Sequence, residues 1–260
     1  MKIYINTDNE TYGLPRFFVE ILTRMGLRTN TPECVVNISS IHTKGIKQGT
    51  KCTVYLEGDD FLIKGTNTKY YDTADLLYIG SPNYLSLYPK KTKIIKCGVD
   101  VDWHYPRNVK KKYDYVFVGK VRGDSVYDNR MAVLEELKKS KYKILITNGT
   151  QETYPDLMSS GRIILNVLPR RGDDVCVNQR VFEGMAMGCL MTDYDKALDD
   201  FGFVKNVHYL PLDRFGDISD EEIAWVHETG SEYVKKHYTY QGAIHTLIRD
   251  IEEFTGEKIC

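Results

Sequence analysis

No stretch of this 260-residue chain approaches the roughly 20 apolar residues that a bilayer crossing requires. The N-terminus "MKIYINTDNE" alternates like a strand and carries acid by residue 8, which does not fit a secretory signal. Net charge is nearly absent: 35 Lys and Arg face 36 Asp and Glu, so no global field draws the chain toward nucleic acid or an anionic membrane. The six cysteines, Cys34, Cys52, Cys97, Cys176, Cys189 and Cys260, include no C-x-x-C pair and no histidine at zinc spacing. Most sit in or beside apolar runs, where a reduced thiol packs as a small hydrophobe, and a reducing cytoplasmic setting fits them. The common phosphate fingerprints are lacking too. Neither G-x-x-x-x-G-K-[ST] nor G-x-G-x-x-G occurs, which argues against P-loop enzymes and dinucleotide-dependent dehydrogenases.

What is there is a repeated alternation of apolar strand and helix. Short strands are predicted over 2–6, 34–38, 52–58, 76–80 and 93–98, with a helix over 14–26 and a short one over 81–88 begun by Ser81 and Pro82. The second half repeats the theme, with strands over 113–119, 142–149, 162–167 and 189–193. Helices fall over 128–140, near 151–159 and over 178–188. Two helices, 219–237 and 240–254, close the chain with no further strand expected. The strands read as continuous apolar runs, which favours parallel sheets covered on both faces. This is an α/β protein of doubly wound units, and the length suits two of them, of about 100 and 130 residues. Between them "CGVDVDWHYPRNVKKKYD" (97–114) is polar, aperiodic and contains Pro106, so it reads as a linker.

Ligands of open α/β sheets bind at the carboxyl ends of the strands. The loops there in the second half carry Gly119, which would let backbone N–H groups approach a ligand, and Lys120, Arg122, Arg130, Arg170 and Arg171, whose charge suits a diphosphate. Each of these cations is equally readable as an ordinary surface residue.

Glu183 is harder to dismiss. In "NQRVFEGMAMGCLMTD" (178–193) it stands among Val181, Phe182, Met185 and Ala186, and the small residues Gly184, Ala186 and Gly188 suggest a helix pressed against a sheet. A carboxylate there needs partners, because burying it unpaired is costly. Two cis hydroxyls of a ribose would serve, since a carboxylate accepts both protons. A structural ion pair with Arg180, three residues earlier, would serve as well.

Four segments, in order, resemble the two-domain nucleotide-sugar glycosyltransferases of GT-B architecture, most closely their spore-maturation-type, glycosyltransferase-like branch. They are "KTKIIKCGVDVDWHYP" (91–106), "YDYVFVGKVRGDSVYDNRMAVLEEL" (113–137), "IILNVLPRRGDDVCVNQRVFEGMAMGCLMTDY" (163–194) and "KHYTYQGAIHTLIRDI" (236–251). The resemblance implies two Rossmann-like domains facing across a cleft, an acceptor-side domain over 1–104 and a donor-binding domain over 105–239. The terminal helix, 240–260, would cross back to the first domain. It implies a sugar transferred from a nucleotide-sugar donor, with a UDP-sugar the first choice, and no bound metal. Glu183 matches the glutamate that binds the donor ribose, Lys120 and Arg122 fall where relatives place cations on the diphosphate, and Asn178 and Arg180 line the approach. Arg130 and Arg170 stand next in line for the diphosphate. Many relatives carry a second glutamate eight residues before the first; here that position is Val175, with Asp173 and Asp174 nearby. The catalytic base would come from the first domain, with Asp8 and Glu10 foremost and Asp59 and Asp60 behind them. A binding module of the same fold that has lost turnover is the competing reading.

The acceptor is read from charge alone. Residues 1–105 hold 13 Lys and Arg against 11 Asp and Glu, the remainder 22 against 25. Basic runs at 90–96 and 107–112 flank the linker. Together they point to a negatively charged acceptor: a hydroxylated base in DNA, a phosphorylated glycan, or a protein hydroxyl.

Overall fold

The computed structural model describes residues 1–7, 13–31, 33–39, 45–57, 68–121, 128–150, 152–171, 174–175 and 177–259. Asp8, Glu10, Asp59, Asp60, Arg122 and Asp173 lie outside the described residues. The chain divides into two compact units: Met1–Cys97 together with Thr239–Cys260, and Gly98–Tyr238.

The first unit is built on strands β1 (Ile3–Asn6), β2 (Cys34–Ser39), β3 (Cys52–Glu57), β4 (Leu76–Ile79) and β5 (Lys93–Ile94). All pair in parallel and add in sequence order. Every residue of β3, the central strand, is buried, as continuous apolar runs require of a sheet covered on both faces. Alternation divides the tyrosines between those faces. Tyr55 meets Tyr70 and Tyr71 of α2 (Thr68–Tyr71). Tyr78, in register with Leu56 and so on the other face, sends its hydroxyl elsewhere. Helix α1 (Gly13–Arg24) follows β1. The short helix expected after Ser81 is a 3-10 turn, Pro82–Leu87.

The second unit holds β6 (Tyr113–Val118), α3 (Asp128–Lys138), β7 (Ile144–Thr147), α4 (Tyr154–Ser159) and β8 (Gly161–Asn166). A two-strand ladder of β9 (Arg170–Arg171) and β10 (Asp174–Val175) comes next. Then follow α5 (Gln179–Met187), β11 (Cys189–Thr192), α6 (Lys196–Asp200), β12 (Leu210–Pro211) and α7 (Asp220–His237). Its five-stranded sheet is parallel in the order β12-β11-β8-β6-β7. The chain steps from β6 to β7 on one side and then returns to place β8 on the other. That reversal of strand order marks a doubly wound sheet and opens a crevice at the carboxyl ends of β6 and β8. Side-chain alternation along β6 feeds two cores. Val116 and Val118 pack with Val181 and Met185 of α5, and Tyr115 and Phe117 pack with Leu134 of α3. Helix α5 lies so close to the sheet that a Cβ on Gly184 would stand 2.7 Å from Leu190 Cδ1. Cys189 is buried in the other core with Phe117 and Leu165, its thiol pushed up to about 12 by desolvation, which suits a packing role.

Helix α8 (Tyr240–Thr255) returns to the first unit. Thr239 caps it by accepting from the Gly242 N–H at 3.0 Å, and Gly256, at φ 71°, closes it. Tyr240 stacks on Phe17 of α1, and Asp250 receives the Tyr78 hydroxyl at 2.8 Å and Lys93 at 3.0 Å.

Two sequence expectations need correcting. A further strand does follow the last long one: β12 pairs with β11, but two residues are too few to carry a periodic signal. The segment read as a linker is not a solvated tether at its start. Val99, Asp100 and His104 are buried, and the Val99 N–H donates to the Tyr238 carbonyl at 3.0 Å, so residues 98–104 belong to the second unit.

Candidate functional site

The crevice at the carboxyl ends of β6 and β8 is lined by side chains from α5. Arg180, in its first turn, donates from Nε to the Val118 carbonyl at 2.7 Å and from Nη1 to Asn166 Oδ1 at 3.0 Å. Its guanidinium lies 4.6 Å from the centre of the Phe117 ring. Asn178, the N-cap, donates to the same Asn166 oxygen at 3.3 Å. Its own Oδ1 is buried and has no hydrogen-bond partner among the described residues. Arg180 thus ties the ends of both strands at the switch point, and Nη2 makes no hydrogen bond among the described residues.

Gly119 explains how a guanidinium fits there. A Cβ at that position would collide with Arg180 Nη2. The glycine N–H donates to the Thr147 carbonyl at 2.9 Å. Gly119 therefore makes room for Arg180 instead of offering its backbone to a ligand, as its place in the sequence suggested.

Arg130 and Arg170 are committed within the protein. Arg130 is only 3% exposed and donates from Nε and Nη2 to the Val167 carbonyl at 3.1 and 2.9 Å, holding the loop after β8. Arg170 bridges Asp195 at 3.1 Å and Asp193 at 3.3 Å near the end of β11. Asp193 has its pKa raised by burial, against the pull of the Leu168 N–H and Arg170. Lys120 is exposed, and its amine has no partner among the described residues.

Glu183 lies in the second turn of α5, its side chain 14% exposed. It does not pair with Arg180. Tyr154 of α4 donates to Oε2 at 2.6 Å, and His104 Nε2 lies 3.4 Å from Oε1. Nδ1 of His104 is engaged by the Asp100 backbone, whose N–H lies at 3.0 Å and whose carbonyl lies at 3.2 Å, and this leaves Nε2 facing the glutamate. Burial pushes the Glu183 carboxyl up, but the interactions with His104 and Tyr154 and the nearby charge of Arg180 outweigh it. The group titrates below the ordinary 4.5 and is ionised at neutral pH. An ionised carboxylate has about four lone-pair sites. Among the described residues His104 and Tyr154 take two, so acceptor capacity is left on both oxygens.

The structure therefore brings Asn178, Arg180 and Glu183 together at one end of the second sheet and sets Lys120 just past β6. It assigns Arg130 and Arg170 to the loops beside them. His104, Tyr154 and Asn166 were not anticipated. Asn166 ends β8, within the strand expected over 162–167, at the carboxyl end where ligands of such sheets bind. His104 stands in the quoted "DWHYP" segment, where only the neighbouring Pro106 drew notice. Among the described residues no group of three or more His, Cys, Asp or Glu is arranged to hold a metal ion. No described helix is long and apolar enough to cross a membrane.

The switch point of a doubly wound sheet is where such folds bind ligands, and here Glu183 and Arg180 stand beside it. The family model described as glycosyl transferase-like matches residues 120–249, half of the chain, and the chain belongs to that family. Its fold is that of the GT-B glycosyltransferases. A glycosyltransferase from Rickettsia africae ESF-5 aligns over 97% of both chains with a TM-score of 0.57 and 10% identity. A sucrose-phosphate synthase from Thermosynechococcus elongatus aligns over 94% of this chain and 79% of its own, with a TM-score of 0.56 and 12% identity. An alpha-glucosyltransferase solved with UDP and a 13-mer DNA containing an HMU base aligns over 96% of this chain and 90% of its own, with a TM-score of 0.53 and 10% identity. No curated protein sequence matches the chain.

Proposed function

We propose that this protein transfers a sugar from a nucleotide-sugar donor to an acceptor hydroxyl, and that the donor's ribose is held by Glu183. The observation that carries this reading is the carboxylate itself: charged, nearly buried beside the switch point, and with lone pairs to spare after His104 and Tyr154 are counted. Asn178, with its unpartnered Oδ1, and the exposed Lys120 extend the site toward the base or the diphosphate. Arg122 is the second cation of that proposal. Stabilising charge on the departing diphosphate is usually the larger part of such catalysis. Arg130 and Arg170 act one step back, by fixing the loops that carry the site. A UDP-sugar is the donor class we favour, and Asp8 and Glu10 are the proposed bases. A hydroxylated base in DNA is the acceptor we favour testing first, because basic residues recur over 90–96 and 107–112. The UDP- and DNA-bound glucosyltransferase of the same fold makes that acceptor chemically reasonable. One observation favours the competing reading of a binding module: the position where relatives place a second glutamate is Val175, and it is buried.

The test is thermal shift with a panel of nucleoside diphosphates and nucleotide sugars, followed by an assay for donor hydrolysis and sugar transfer. Binding with turnover supports the transferase. Binding without hydrolysis or transfer to any acceptor supports the module, and no binding at all removes the nucleotide site.

A further inference from the structure

Glu183 is held by two donors that reach it from separate parts of the chain. Tyr154 opens α4, whereas His104 closes a turn that begins at Asp100. His104 is only 1% exposed, and its ring is oriented by the Asp100 backbone on the side away from the glutamate. Each donor meets a different carboxylate oxygen. The last torsion of a glutamate is broad and two-fold, so a carboxylate with no such contacts would swivel. We propose that His104 and Tyr154 are positioning residues that lock the Glu183 carboxylate, leave one acceptor site on each oxygen facing outward, and so set the preference of the site for a ribose diol. This rests on the reading of Glu183 as the ribose acceptor. Two outward lone pairs at fixed separation suit two adjacent hydroxyls on one sugar ring. A swivelling carboxylate would bind the same diol only after being ordered, and would discriminate less against a sugar without hydroxyls.

Two substitutions at His104 separate positioning from simple support of the turn. In H104N the amide oxygen can stand near the place of Nδ1 and accept from the Asp100 N–H, but nothing replaces the Nε2 donor. In H104Q the amide N–H can reach the place of Nε2, while the acceptor for Asp100 is lost. Y154F removes the second donor from an independent segment. Affinities are measured by calorimetry for UDP, GDP, ADP and CDP and for their 2′,3′-dideoxy forms, on variants that melt cooperatively. The readout is the ratio of dideoxy to ribose Kd for whichever base binds. The wild type is expected to prefer ribose by about tenfold or more, in keeping with bonds to a charged acceptor, and E183A to abolish the preference. H104N and Y154F should each lower it severalfold with dideoxy affinity unchanged, while H104Q keeps most of it. Should E183A lose the preference while H104N and Y154F retain it, the positioning role is overturned and the ribose reading stands. Loss in H104Q with retention in H104N would make His104 a support of the turn only. Full preference in E183A, or no binding of any diphosphate, would remove the ribose reading and this inference with it.

Discussion

At Glu183 a single carboxylate carries most of the functional argument, and its pH behaviour has a definite sign. Its folded pKa is depressed, so whatever the charge contributes to binding is fully present above the ordinary 4.5 and is lost only as pH falls through the lower folded value. Nucleotide affinity should therefore be flat from neutral pH down to that value in the wild type. E183A should weaken binding by roughly 1.5–3 kcal/mol, about tenfold or more at neutral pH. A calorimetric pH series checks both; unchanged affinity in a folded E183A would remove the ribose role. Gly119 yields a second expectation. In G119A the new Cβ meets Arg180, which must leave the Val118 carbonyl and Asn166. The expected cost is about 1–3 kcal/mol for polar groups left unsatisfied, a drop of several degrees in melting temperature. An unchanged melt would mean that Arg180 swings aside freely. Glu183 was legible in the sequence because a charge among Val181, Phe182 and Met185 breaks the apolar pattern. Its partners were not. A hydroxyl from α4 and an imidazole from an aperiodic segment are brought to it only by tertiary packing, which also denies it the Arg180 ion pair that local spacing allowed.

Among the elements, α8 is the one whose docking can be tested by itself. Asp250 is 6% exposed and joins the helix to Tyr78 and Lys93 of the first sheet. Burial pushes its carboxyl up, but the Tyr78 and Lys93 bonds outweigh that and hold it below the ordinary 3.8. Its contribution is therefore complete above that value and lost as pH falls through the folded one. D250A should leave the buried Tyr78 hydroxyl unsatisfied and destabilise the protein by about 1–3 kcal/mol, with D250N less harmful because it keeps an acceptor. Chemical denaturation at neutral pH reads this; equal stability of D250A and wild type would show that apolar contacts such as Phe17–Tyr240 hold the helix unaided. Long elements were readable from periodicity: α7 and α8 match their expected ranges closely, α7 between Ser219, an acidic first turn and a basic last turn, α8 between Thr239 and Gly256. The two-residue β12 and the reversal of strand order at β6 and β8 were not. Pairing order is a property of the assembled sheet, and apolar runs report only that a strand is buried.

For the whole molecule, membership of the glycosyl transferase-like family and the GT-B fold fix the class of chemistry and leave the acceptor to experiment. If the acceptor is a hydroxymethylated base in duplex DNA, transfer should fall steeply between low and physiological salt, because phosphate contacts release counterions. Transfer that ignores salt, or its absence at low salt, would redirect the search to glycan and protein hydroxyls. Overall charge could not decide this in advance, since a chain with 35 cations and 36 anions announces no partner. The most direct measurement is a crystal structure of the protein with the nucleoside diphosphate that binds it best. The expected result places both ribose hydroxyls within hydrogen-bond distance of Glu183, with His104 and Tyr154 still on its oxygens. A nucleotide bound elsewhere, or a Glu183 that contacts His104 and Tyr154 but no part of the ribose, would contradict it.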